Sequence, residues 1–203
     1  MTPPSRILIV YAHPSQHRSH ANRRMRDAAA RLSNVVIRDL YETYPDFHID
    51  VPQEQELLSE ADLVVLQHPL QWYSMPGLMK EWLDVVFEHG WAYGHEGNAL
   101  RGKDLWLAVT TGGPAESYSA SGYHQRPFKD FLAPYEQTAF LCGLRWHPPL
   151  VLHGARRADD AALQSHAARY AELLMAYPNW HDGIHDTPPP VASNVYIHDP
   201  DAP

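Results

Sequence analysis

The chain has 203 residues, of which 44% are hydrophobic and 20% are charged, a size and composition typical of one globular α/β domain. Its formal net charge of −8 argues against a nucleic-acid-binding surface and against a polybasic membrane patch, since both need clustered Lys and Arg. One cysteine cannot form an intramolecular disulfide, and without a signal peptide or a membrane-spanning apolar run we expect a cytoplasmic protein.

Strands and helices are predicted to alternate along the chain. Short apolar, β-branched runs indicate buried strands, and runs with apolar residues at helical spacing indicate helices. In chain order we predict strand 6–12, helix 19–32, strand 35–40, helix 53–60, strand 62–67, helix 77–88, strand 103–110, helix 128–144, strand 150–152 and helix 159–176. We expect a loop over 44–50 and an interruption of the fourth helix near Pro134.

This alternation predicts a parallel sheet with right-handed crossovers and helices on both faces. Five strands favour the doubly wound, flavodoxin-like order 2-1-3-4-5 over a full dinucleotide-binding sheet. The domain is expected to cover residues 1–177, with Cys142 as a small buried residue. Residues 178–203 contain Pro188, Pro189 and Pro190 without apolar periodicity, so we expect an extended or disordered extension there.

A ligand is expected where the loops after strands one, three and four meet, because ligands bind at the carboxyl ends of strands in such sheets. The first of these loops, 13–22, carries polar side chains into a helix N-terminus, where free N–H groups favour a phosphate. Two other interpretations stay open: Ser19 is an ordinary helix N-cap, or His13, His17 and His20 bind a metal.

The second and third loops add aromatic and glycine residues. Trp72 and Tyr73 lie between prolines in a short turn and could lie against a flat ring, although such a pair also suits a core or a dimer interface. Gly112 and Gly113 directly follow the fourth strand, so their N–H groups could approach the pyrimidine edge of a flavin. An ordinary strand-to-loop turn is the other interpretation of the glycine pair.

Five separated motifs resemble the NAD(P)H:quinone oxidoreductase family, with the greatest likeness to bacterial flavoproteins that assist glutathione-gated potassium efflux channels. The motifs are residues 11–14 with 19–22, 67–76, 91–94, 100–103 and 110–113. The loop 44–47 is similar to the channel-associated subgroup. The resemblance implies a flavodoxin-like fold, a tightly bound flavin and a homodimer with the flavin near its interface.

The resemblance also implies which residues bind the flavin. Carried over by position, they are His13, Ser19, His20, Ala21 and Asn22 at the phosphate, Leu70, Gln71, Trp72 and Tyr73 along the isoalloxazine ring, and Thr110, Thr111, Gly112 and Gly113 at its pyrimidine edge. Tyr118 and His124, with Gly122 between them, match a Tyr and a His that assist hydride transfer. Pro114, Ala115 and Glu116 depart from the family's small-residue turn.

The implied function is hydride transfer from NADH or NADPH, through flavin N5, to a quinone-like acceptor in a two-electron ping-pong cycle. Glycine N–H groups and the Tyr118 hydroxyl would stabilise the developing charge, and His124 would donate a proton or offset charge. FMN is favoured over FAD. One alternative is a regulatory subunit of a potassium efflux channel, held at the inner membrane by that partner. Another is a flavodoxin-like electron carrier.

Overall fold

The computed structural model describes residues 5–15 and 19–180; His17 and residues 181–203 lie outside them. The strands are β1 Ile7–Tyr11, β2 Val35–Asp39, β3 Leu63–Pro69, β4 Asp104–Thr110, β5 Arg145–Trp146 and β6 Leu150–Leu152. The helices are α1 His20–Ala29, α2 Leu40–Thr43, α3 Val51–Glu60, α4 Gly77–Val86, α5 Ala133–Cys142 and α6 Asp160–Ala176.

The strands form one parallel sheet in the order β2-β1-β3-β4-β5, with β6 also paired to β4. The predicted flavodoxin-like α/β fold and strand order are therefore confirmed. The fifth strand position differs, because it holds two short strands where the sequence predicts one at 150–152. Pro148 and Pro149 separate these strands, and a residue without an N–H cannot donate to the hydrogen-bond ladder.

Alternation along β1 divides the core into two layers. Leu8 and Val10 pack in a cluster with residues of α3, α4 and α5, whereas Ile7, Ile9 and Tyr11 pack in a cluster with residues of α1 and α6. Successive side chains of a strand point to opposite faces of its sheet, so a strand covered on both faces is apolar throughout. Helices on both faces therefore hold the carboxyl edge of the sheet in place.

Most element boundaries differ from the predicted ones by one to three residues, and the differences at β3, α2 and α5 lie close to proline or capping residues. β3 continues through Pro69, although the strand was predicted to end at residue 67. A short helix, α2, replaces the end of the second predicted strand, because Asp39 caps it by accepting the N–H of Glu42. Pro134 lies in the first turn of α5, where proline is tolerated, rather than interrupting a longer helix. Residues 128–131 form a separate 3-10 turn.

The described chain ends against the sheet. Tyr177 donates a hydrogen bond of 2.7 Å to Asp104, and the Trp180 ring lies 5.0 Å from that of Trp106. Cys142 is buried, and burial raises the pKa of its thiol to about 11. None of the helices in the described residues is both long and apolar enough to cross a membrane.

Candidate active site

Thr110, the last residue of β4, joins the three loops in which the sequence predicts a site. Its hydroxyl oxygen accepts a hydrogen bond of 2.9 Å from the side-chain amide of Asn22, at the end of the first loop. Its carbonyl oxygen accepts a bond of 2.7 Å from the N–H of Leu70, in the second loop. The loops after β1, β3 and β4 therefore meet at one point on the carboxyl edge of the sheet.

His13 is buried at the start of the first loop in a defined tautomer. The N–H of Ser15 donates to His13 Nδ1 over 3.1 Å, and burial lowers the pKa of the imidazole, which favours its neutral form. In a neutral ring whose Nδ1 accepts, Nε2 carries the proton. His13 can therefore donate one hydrogen bond through Nε2 to an anionic group.

Ser19 occupies the N-cap position of α1 without capping it. Its side chain makes no hydrogen bond to the first turn, and its hydroxyl instead lies 3.0 Å from that of Tyr11. His20 is exposed at the first helical position, and Ala21 behind it is buried. The first-turn N–H groups of this ten-residue helix thus receive no side-chain cap from Ser19, and the helix dipole favours an anion there.

The metal interpretation of the first loop finds no support in the described residues. They contain no group of three His, Cys, Asp or Glu side chains that could hold a metal ion. His17, one of the three histidines in that interpretation, lies outside the described residues.

Asn22 contributes an unpaired acceptor to the same place. Its backbone carbonyl accepts from Gln67 over 2.8 Å, and Tyr170 donates to Gln67 over 3.2 Å. In contrast, Asn22 Oδ1 is buried and has no hydrogen-bond partner among the described residues. A buried acceptor left unpaired costs about 1–3 kcal/mol. A ligand hydroxyl that donates to this oxygen would remove that cost.

The second loop is a tight turn with an unusual sequence. Gln71 and Ser74 exchange backbone hydrogen bonds of 2.9 and 3.0 Å, and both central residues, Trp72 and Tyr73, have positive φ values of 48° and 65°. Two-residue turns with this backbone favour Asn-Gly, and a left-handed residue with a large side chain costs about 1–2 kcal/mol. Trp72 is 94% exposed, so it is not a core residue of this chain. Such local strain is typical of functional sites.

Polar side chains hold the third loop in shape. The Thr111 hydroxyl donates to the Gly113 carbonyl over 2.7 Å, and the same oxygen lies 3.0 Å from His153 Nδ1. Since the hydroxyl has only one proton, His153 must be the donor in the second contact. A Cβ at Gly112 would lie 3.4 Å from Arg156 Nε, and one at Gly113 would lie 3.3 Å from His124 Nε2. The missing side chain at Gly113 therefore leaves room for the His124 ring, whereas a Cβ at Gly112 would make only ordinary contact with Arg156.

Tyr118 and His124 lie together beside the second loop. Their rings are 4.4 Å apart, and His124 Nδ1 lies 3.3 Å from the Tyr73 hydroxyl. Gly122 makes this possible, because a Cβ there would lie 2.3 Å from the Glu116 carbonyl oxygen as the loop turns back. The departure at residues 114–116 thus produces a short 3-10 turn without separating the two side chains.

Sequence reasoning missed several residues of this site. His153 and Arg156 directly follow β6, and Phe131 stacks on Tyr73 with ring centroids 4.9 Å apart. A signal existed for the first two, because the loop after the fifth strand position also lies at the carboxyl edge in this strand order. Phe131 left no such signal, since its predicted helical position does not indicate what it contacts.

Comparisons with known proteins agree with this fold. The model of the Flavodoxin_2 family, described as a flavodoxin-like fold, matches residues 5–174. A general stress protein 14 from Treponema denticola, solved in complex with FMN, shares 36% identity with a TM-score of 0.76, covering 86% of this chain and 97% of its own. An NADPH-quinone reductase from P. pentosaceus shares 31% identity with a TM-score of 0.75, covering 83% and 96%.

A third solved structure has a different named activity. A thermophilic tryptophan halogenase from Streptomycin violaceusniger shares 40% identity with a TM-score of 0.80, and the match covers 83% of this chain and 98% of that one. Structures with this fold thus have different named activities, and the reaction has to be argued from the residues of the site.

Proposed function

We propose, from the premise that the chain belongs to the Flavodoxin_2 family of flavodoxin-like proteins, that it is an FMN-dependent NAD(P)H:quinone oxidoreductase. The observation that carries the proposal is the position of Thr110, which joins the three loops through Asn22 and Leu70. The N-terminus of α1, the buried Asn22 oxygen, the Gly112–Gly113 pair and the aromatic turn at Trp72 and Tyr73 lie around it. This combination suits a phosphorylated, polyhydroxylated planar cofactor.

The residues present fit FMN part by part. His13 and the first turn of α1 would hold the phosphate, and the buried Asn22 Oδ1 would accept a ribityl hydroxyl. Trp72 and Tyr73 would lie along the ring, and the Gly112–Gly113 backbone would approach its pyrimidine edge. When bound, the flavin supplies the redox chemistry, taking two electrons and a proton as hydride at N5 and passing them on in a ping-pong cycle.

Tyr118 and His124 are the side chains proposed to assist that chemistry. Their contact with each other and with Tyr73 holds both beside the Gly113 end of the third loop. From there the Tyr118 hydroxyl can donate a hydrogen bond where negative charge develops, and a protonated His124 can offset that charge or give up its proton. Neither residue is needed to retain the cofactor, so their loss should slow reduction without releasing flavin.

The experiment begins with the visible spectrum of the purified protein and identification of the flavin that it releases on denaturation. We expect FMN, and a colourless protein that takes up no FMN would contradict the proposal. His124→Ala and Tyr118→Phe should then slow stopped-flow flavin reduction on the order of 10²-fold with flavin retained. Tyr123→Phe, an exposed tyrosine of the same loop, is the matched control. Unchanged reduction in both variants would remove these residues from the mechanism.

Several finer points belong to the same proposal. FMN is favoured over FAD because a neighbour at 36% identity was solved with FMN. NADH and NADPH are both proposed as co-substrates, with a quinone-like acceptor. A homodimer is supported by Trp72, Phe140 and Leu141, three large apolar side chains that are more than half exposed.

The regulatory role in potassium efflux is a weaker proposal, supported only by the motif at residues 44–47. In that loop Phe47 is half exposed, with a positive φ of 65°, and it contacts Tyr41 edge-on. Co-purification with a channel would support the role, and unchanged potassium efflux after deletion of the protein would contradict it.

A further inference from the structure

Backbone hydrogen bonds fix the loop after β6 against the third loop, which contains Gly112 and Gly113. Gly154 N–H donates to the Gly113 carbonyl over 2.8 Å, and Ala155 N–H donates to the Thr111 carbonyl over 2.9 Å. Thr111 N–H in turn donates to the Leu152 carbonyl over 2.9 Å. The backbone of this segment therefore has a defined position relative to Gly112 and Gly113.

Arg156 extends from this fixed segment over Gly112. A Cβ added at Gly112 would lie 3.4 Å from its Nε and 3.8 Å from its Cζ. Among residues 5–15 and 19–180, no Asp or Glu carboxylate forms an ion pair with this guanidinium. Arg156 is exposed to solvent, and in a chain with a net charge of −8 a cation beside Gly112 that has no ion-pair partner in the described residues suggests an anionic ligand group.

We infer that Arg156 is a flavin-tuning residue, placing a permanent positive charge beside the pyrimidine edge of the cofactor and thereby raising its reduction potential. The inference rests on the proposed function. Hydride brings two electrons and one proton to N5, and it leaves the nicotinamide oxidised; the flavin thus gains one negative charge, which spreads over N1 and O2. A guanidinium at that edge stabilises the reduced form and leaves the oxidised form almost unaffected.

Arg156 and His124 can both stabilise the negative charge of the reduced flavin, each from beside a different glycine. His124 approaches Gly113 and offers a positive charge only when its imidazole is protonated. Arg156 approaches Gly112 with a guanidinium, a group that does not act as a proton donor in proteins. The effect of Arg156 on the potential of the bound flavin should therefore not depend on whether His124 is protonated.

The test compares the reduction potential of bound FMN in wild type, Arg156→Met, Arg156→Lys and Arg31→Met. Arg31→Met removes one exposed positive charge at the far end of α1 and controls for net charge. In Arg156→Met, the affinity for reduced FMN relative to that for oxidised FMN should fall about tenfold. This change lowers the reduction potential by about 30 mV for a two-electron couple. Arg156→Lys should recover most of the difference, and affinity for oxidised FMN should change less than twofold.

The failures of the two proposals can be told apart. Equal potentials in Arg156→Met and Arg31→Met, with FMN bound in both, would overturn the inference about Arg156 and leave the flavoprotein function standing. Equal potentials in Arg156→Met and Arg156→Lys would also overturn it, because charge would then not be the cause. A wild-type protein that binds no flavin would overturn the proposed function itself.

Discussion

The two ends of β4 differ in whether the buried polar groups there all have hydrogen-bond partners. At its start, Asp104 is buried and accepts hydrogen bonds of 2.7–2.8 Å from Arg145, His147 and Tyr177. Burial alone would raise the pKa of this carboxyl, but the three partners outweigh it and hold the pKa well below its usual range. At the other end, Thr110 lies beside the unpaired Asn22 oxygen, the uncapped α1 and the strained turn at Trp72 and Tyr73.

This difference separates stability from binding within one strand. A polar cluster with every group paired stabilises the fold and offers nothing to a ligand. A cluster with an unpaired acceptor, free N–H groups and backbone strain costs stability until a ligand satisfies it. Substitutions at the amino end should therefore lower stability, and substitutions at the carboxyl end should raise stability while weakening binding.

The largest expected effect is at the amino end. Asp104→Asn removes the charge that pairs with Arg145 and leaves the partners of the carboxylate incompletely satisfied, so we expect a loss of about 2–4 kcal/mol in the free energy of unfolding at pH 7. Urea denaturation measures it. Asp130→Asn, which breaks the exposed pair with Arg126, is the matched control and should cost less than about 1 kcal/mol. Equal losses in the two variants would break the comparison.

The same carboxylate predicts a pH dependence. Its pKa in the folded protein lies below the ordinary value of 3.8, so its contribution is complete above that value and is lost as the pH falls below it. The loss of unfolding free energy in Asp104→Asn relative to wild type should accordingly become smaller under strongly acidic conditions. If the stability difference between Asp104→Asn and wild type stayed constant down to pH 2, the charge of Asp104 would not be its cause.

His166 tests whether an unpaired buried atom always marks a ligand site. Its Nε2 is buried and has no hydrogen-bond partner in residues 5–15 and 19–180, yet His166 lies in the second turn of α6 rather than in the three loops. Burial lowers the pKa of His166 from 6.5 to about 4, so the unfolded chain binds a proton below pH 6.5 that the folded chain does not. This difference should cost wild type about 2 kcal/mol between pH 7 and pH 5.

Replacing that imidazole should remove the acid sensitivity. Between pH 7 and pH 5, the free energy of unfolding should fall by about 2 kcal/mol less in His166→Leu than in wild type. The affinity for FMN should not change. Denaturation at both pH values measures the first quantity, and fluorescence titration measures the second. Weakened FMN binding would mean that this unpaired atom belongs to the site after all.

The smallest expected effect is at the strained turn, and its sign is opposite to that at Asp104. Trp72→Asn combined with Tyr73→Gly supplies the residues that this backbone favours, so the ligand-free protein should gain about 1–2 kcal/mol of stability. FMN affinity should fall because the aromatic surface is lost. A ligand-free variant less stable than wild type would show that these side chains stabilise the fold itself.

The sequence predicts the strand order and the meeting of the loops because these follow from alternation and from the geometry of parallel sheets. It could not predict that Ser19 leaves α1 uncapped, since its hydroxyl goes to Tyr11, a partner eight residues away. Neither could it predict that Trp72 and Tyr73 adopt left-handed backbone, because their types disfavour it. The strand order does place the loop of Arg156 at this edge, but the approach of Arg156 to Gly112 could not be predicted, because tertiary hydrogen bonds position that loop.

The divided last strand also limits how copies of this chain can associate. β5 has two residues and β6 three, and between them Pro148 and Pro149 offer no N–H to a neighbouring chain. Natural proteins use short, proline-interrupted strands to prevent sheets from joining edge to edge. Self-association through continuation of the sheet is therefore disfavoured on this side, and any dimer should use helix and loop surfaces instead.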